Sequence, residues 1–173
     1  MQIEKIALVC AALAVTAVTL PLSANSQSFE ETATYIKNAC EGASWNDTRT
    51  DRLELSKTTL EVWSSGKTFF DLNGDGVRDT TNPGYSEYKI QLSLSDLKGA
   101  RMSEIFDGAA VELFGDRGFA SETRKYTPPQ GIAQQKSTRT TTPKKVEVFC
   151  ARPERVVNAF NHLATMVDDD PFK

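Results

Sequence analysis

From residue 29 the apolar side chains return at three- and four-residue spacings, as Phe29, Ala33, Ile36 and Cys40, which predicts an amphipathic helix. Ser28-Phe29-Glu30-Glu31 is a capping box that starts it. Residues 41–50 read as a polar connection carrying Trp45. The period then changes to two. Leu53-Glu54-Leu55 and Leu60-Glu61-Val62 alternate as short strands, with Trp63 close behind, and residues 88–94 alternate as a longer one. Residues 95–99 predict a turn, 102–106 and 109–114 further strands, and 115–118 a hairpin-like break. Val146, Val148 and Cys150 share one face of a last strand, between Lys145 and Glu147. Val156, Ala159, Phe160, Leu163, Met166 and Val167 trace the apolar stripe of a closing helix, with Pro153 in its first turn. Asp168-Asp169-Asp170-Pro171 ends it as a solvated tail.

A helix, several antiparallel strands and a packed C-terminal helix predict an α+β domain built on an antiparallel sheet or a small barrel. Short strands followed by one terminal helix resemble the pleckstrin-homology-like barrel, and also small exported bacterial proteins of uncharacterised function that end in a similar apolar helix. The first resemblance implies a barrel with one end plugged by that helix.

The pattern changes character at the N-terminus. Lys5, an apolar run from Ile6 to Leu20, and Pro21-Leu22-Ser23-Ala24-Asn25-Ser26 read as a signal peptide over residues 1–26 with its cleavage region. The run is shorter than the roughly 18–20 residues of a membrane span, and no second such run follows. Residues 27–173 are therefore expected to be one secreted or periplasmic domain without a transmembrane segment. The net charge of −3 argues against bulk nucleic-acid binding. Beyond the signal only Cys40 and Cys150 remain, both on core-facing positions, so an exported chain points to one disulfide rather than a redox or zinc motif. The alternative is two buried free thiols.

One stretch spells out ligand chemistry. Asp71, Asn73, Asp75, Asp79 and Asn82 put side-chain oxygens at alternating or ligand-spaced positions, with Gly76 at the bend and Val77 offering its carbonyl. Hard cations such as Ca²⁺ collect six to eight oxygens in this way. The segment resembles the loops of EF-hands and dockerins, and more closely the repeats of bacterial surface adhesins, whose loop is likewise followed by Pro-Gly, here Pro83-Gly84. The resemblance implies a structural calcium site. Asn82 stands where the family has a bidentate Glu, which implies weaker binding. The rival reading is a polar turn, since Asn-Gly and Asp-Gly are strong turn dipeptides.

Residues 121–145 are basic and rich in Thr, Gln and Pro, and predict a flexible loop. Arg124, Lys125, Lys136, Arg139, Lys144 and Lys145 are its candidate contacts to an anionic partner: a protein, a lipid head group or a cell-wall polymer. The competing reading is a solvated loop whose charge aids solubility. His162 is the only histidine, and no nucleophile, metalloprotease or phosphate-loop motif is present. The expectation is thus a non-enzymatic secreted or periplasmic binding module. A small extracytoplasmic hydrolase is the alternative, favoured if the fold brings two carboxylates together in a cleft outside residues 71–82.

Overall fold

Ser28 caps the first helix as its sequence requires. Its hydroxyl accepts the Glu31 N–H at 3.2 Å while the Glu31 carboxylate accepts the Ser28 N–H at 2.9 Å. The helix, α1 (Phe29–Cys40), buries Thr32, Ile36 and Cys40, so its inward face is turned slightly from the Phe29–Ala33 line. The computed structural model describes residues 27–71, 74–116, 118–133 and 135–168. The signal segment and the acidic tail past Asp168 lie outside these.

Among the described residues nine strands follow: β1 (Ser44–Trp45), β2 (Thr48–Leu55), β3 (Thr59–Phe70), β4 (Asp79–Ser93), β5 (Leu97–Met102), β6 (Ala110–Gly115), β7 (Ala120–Thr127), β8 (Ser137–Thr141) and β9 (Lys145–Phe149). Helix α2 (Pro153–Asp168) closes the described chain. The class is α+β. The strands form two antiparallel sheets, a long one ordered β1-β2-β3-β4-β7-β8 and a short one ordered β5-β6-β9. Among the described residues no closed barrel forms: β1 and β8 remain as edges of the long sheet.

The chain passes between sheets at three places: after β4 through a 3-10 turn at Leu94–Asp96, after β6, and after β8. The break at 115–118 is therefore a crossing and not a hairpin. Gly115 is required there because a Cβ would strike the Asp96 carbonyl and the Phe119 ring. The expected strand at 102–106 is displaced. Leu97–Met102 pairs with β6, and the chain turns at 103–109 with Asp107 at φ 47°.

Two segments hold more strand than their pattern suggests. β2 and β3 reach well past the apolar pairs at 53–55 and 60–62, into Thr, Ser and Trp positions that suit a pleated surface. The segment 121–145, expected as a loop, contains β7 and β8. Its β-branched threonines favour strand, and β4 supplies β7 with a paired neighbour along eight residues.

The core joins both sheets and both helices through Ile36, Leu53, Leu60, Val62, Leu92, Leu113, Val148, Phe160 and Leu163. Cys40 and Cys150 are bonded, with sulfurs 2.11 Å apart, and all nine strands lie between them in sequence. The Ala151 N–H donates to the Ala39 carbonyl beside the bridge, at 2.6 Å. Among the described residues no helix is long and apolar enough to cross a membrane.

Candidate functional site on the open face of the long sheet

Register across the long sheet arranges its inner face in rungs, because residues paired across antiparallel strands point the same way. The first rung is Leu55-Leu60-Leu92-Ala120 and the second Leu53-Val62-Ile90-Glu122-Thr141. The third is Thr50-Ser64-Tyr88-Arg124-Arg139 and the fourth Thr48-Gly66-Ser86-Tyr126-Ser137. Successive rungs on one face lie about 7 Å apart. Apolar rungs pack into the core, whereas Tyr88, Glu122 and Tyr126 are half-buried and Arg124, Ser137 and Arg139 are exposed. The same face thus runs from core to open surface.

Where the open part begins, the sheets meet in a cleft of about 290 Å³. Thr48, Ser64, Tyr88, Ile90 and Glu122 line it from the long sheet, Glu147 and Phe149 from β9, and Phe106 from the turn after β5. The aromatic wall is built by contact: Phe106 meets Phe149 edge-on at 5.0 Å and Trp45 edge-on at 5.2 Å. Two carboxylates therefore enter one cleft. Burial pushes the Glu147 carboxyl above its ordinary value, and the charges of Glu112 and Glu122 add to the shift. Glu112 itself is 6% exposed and is held by Arg101 at 2.6 Å and Lys145 at 3.3 Å.

Farther out, Thr68, Phe70, Arg124, Tyr126, Ser137 and Arg139 surround a depression of about 320 Å³. Arg124 lies over the Tyr88 ring at 5.2 Å and donates to Ser86 Oγ at 3.1 Å. The Tyr126 hydroxyl is buried beside Gly84 and has no hydrogen-bond partner among the described residues.

The six candidate cationic contacts divide between places. Arg124 and Arg139 share the open face. Lys125 occupies the alternate face of β7, Lys145 pairs with Glu112, and Lys136 and Lys144 are exposed just outside the ends of β8 and β9. Sequence reasoning passed over Glu122, Glu147, Tyr88, Phe106 and Phe149. The available signal was Glu147 placed between Val146 and Val148, a carboxylate in an otherwise apolar strand.

The calcium-like segment spans the β3–β4 connection. Asp71 organises it: Oδ1 accepts the N–H groups of Gly74 at 2.7 Å and Asp75 at 3.2 Å, and Oδ2 that of Gly76 at 2.8 Å. Asp75 Oδ1 accepts the Val77 N–H at 2.7 Å, and Val77 is exposed. Asp79 already belongs to β4, where hydrogen bonds from the Thr81 hydroxyl and then the Thr81 amide lower its pKa. Asn82 turns to another loop, donating to the Gln130 carbonyl at 2.8 Å and accepting its N–H at 3.0 Å. Asn73 lies outside the described residues. Among the described residues no three acidic, histidine or cysteine side chains converge as a metal cluster. His162 sits on α2, its ring 3.2 Å from the Gln27 carbonyl.

Compared with protein-family models, curated proteins and solved structures, the chain matches none. Its chemistry is therefore read from its own geometry.

Proposed function

We infer that this chain is a non-enzymatic secreted or periplasmic binding domain whose ligand site is the open part of the long sheet's inner face. The observation that carries the reading is the rung order, in which one continuous face leaves the core and presents a carboxylate and then aromatic and guanidinium groups. Small-ligand sites favour such concave, partly apolar surfaces with a few convergent polar groups. The disulfide and the signal-like N-terminus support an extracytoplasmic setting. Its partner is a protein, a lipid head group or a cell-wall polymer with anionic character. Amide shifts in NMR titrations against a small-metabolite and polymer panel test the site. Perturbations centred on Ser64, Tyr88, Glu122 and Arg139 support it, and perturbations confined elsewhere sink it.

A hydrolase is the second reading, favoured by Glu122 and Glu147 in one cleft with the Glu147 carboxyl raised. A raised carboxyl suits a general acid, and its neighbour could serve as base or nucleophile. Turnover of chromogenic glycosides, lost in both Glu122→Gln and Glu147→Gln, would establish it in place of the first.

We also propose weak calcium binding at the β3–β4 connection, through Asp71, Asn73, Asp75, Asp79 and the Val77 carbonyl. The Asp71-centred fold of the connection supports it, since the loop is already wrapped around one carboxylate. Asn82 is engaged by Gln130, so water would take its place in the shell.

A further inference from the structure

Arg124 and Arg139 are direct cross-strand partners on β7 and β8. Residues so paired have Cβ atoms about 5 Å apart, and like charges in that position are destabilising. Among the described residues neither guanidinium forms an ion pair with a carboxylate. Arg124 is held by neutral groups, the Tyr88 ring and the Ser86 hydroxyl, which fix its plane without neutralising it. The chain as a whole carries a net charge of −3, so this positive pair is a local feature and not the overspill of a basic protein. Its cost is offset when an anion bridges the two forks.

We propose that Arg124 and Arg139 clamp a phosphomonoester group in the depression they share with Ser137 and Tyr126. Two monocations match a dianion better than a single carboxylate. A phosphoryl group carries about −1.5 to −2 at neutral pH and offers three acceptor oxygens. Guanidinium forks bind such oxygens bidentately, which a lysine pair would not do. Ser137, paired with Tyr126 in the next rung, adds a hydroxyl donor at the rim. The Tyr126 ring walls the depression, with its hydroxyl buried beside Gly84. The remainder of the ligand would extend toward Tyr88 and the cleft, so this inference rests on the open-face reading and names its ligand class.

Isothermal titration of the full exported chain with glycerol 3-phosphate tests it, with dimethyl phosphate and acetate as monoanionic controls. The monoester should bind at least tenfold more tightly than either control. Its affinity should fall below about pH 6, where the second phosphate proton returns. Arg139 is exposed, so Arg139→Gln should fold normally by circular dichroism yet lose at least tenfold in affinity, and Arg139→Lys should recover only part. Co-sedimentation with vesicles separates the sources of the group. Binding to phosphatidic acid but not to phosphatidylglycerol vesicles, lost in Arg139→Gln, supports the clamp and places the phosphate on a lipid. Binding to the soluble ester alone supports it and places the phosphate on a small molecule. Binding to neither, equal binding of the diester, or full affinity in Arg139→Gln overturns it. Shifts at Tyr88 and Glu122 caused only by phosphate-free ligands also overturn it, while leaving the binding-domain reading in place.

Discussion

Asn161 on α2 uses its side-chain amide to satisfy both backbone groups of Ala100. Its Oδ1 accepts the Ala100 N–H at 2.7 Å, and its Nδ2 donates to the Ala100 carbonyl at 3.1 Å. Ala100 belongs to β5, an edge of the short sheet, so the amide stands in for a neighbouring strand. Asn161→Ala leaves two backbone groups of a buried residue without these partners. The expected loss is about 1–3 kcal/mol per unsatisfied group at the upper limit. Urea denaturation should show a lower midpoint with an unchanged slope. A midpoint equal to wild type would mean that water replaces the amide freely.

The Cys40–Cys150 bridge closes a loop with a sequence separation of 110 residues. In the chain-entropy model a loop near that length contributes about 4.7 kcal/mol, an upper value because denatured chains retain structure. Intact-mass analysis without reductant should find no alkylatable thiol among these two. Cys150→Ala should melt well below wild type. Quantitative alkylation of unreduced, folded protein would contradict the bond.

Glu147 links the cleft to pH. Its folded-state pKa lies above the ordinary 4.5, so between the two values the folded chain binds more protons than the unfolded one. Stability from this group is full below pH 4.5 and is lost as pH rises through the folded value. Glu147→Gln removes that loss. The variant should gain stability relative to wild type at pH 7, with the gain disappearing in acid. Parallel melting curves of the two proteins from pH 3 to 8 would contradict the shift.

Calcium should raise the melting temperature if the β3–β4 connection binds it in the native state alone. Loops of this ligand charge in extracellular modules bind at about 10⁻⁴–10⁻³ M, so millimolar Ca²⁺ against chelator is the informative comparison. Asp71→Ala should abolish the response, and should also lower stability in chelator because three loop N–H groups lose their acceptor. An identical wild-type melting temperature in both conditions would reduce the segment to a turn.

Much of the fold was legible because periodicity reports burial. The capping box, the Val156–Leu163 stripe and the alternation around Val146 each have one dominant contact surface, and each formed where expected. β7 and β8 were not legible because their strand character comes from pairing, β7 with β4 and β8 with β7, rather than from an apolar rhythm. Pro83 lacks an N–H, but a register shift between Thr68 and Phe70 accommodates it inside β4. The candidate site inherits this blindness. Arg124 and Arg139 stand out in sequence only as two charges among six, and their opposition depends on a register that the sequence does not announce.

Among the described residues all nine strands lie between the two bonded cysteines, while α1 ends at Cys40 and α2 follows Cys150. Covalently, the β portion is a ring with a helical tail on either side. One proteolytic nick within that ring, for instance between β7 and β8, opens it but sheds nothing, because both new ends stay attached through the sulfurs. Two cuts are needed to release a fragment. Nicked protein should therefore run as a single species until it is reduced, and a chain split at that loop should hold its two pieces together through the bridge without any engineered tether.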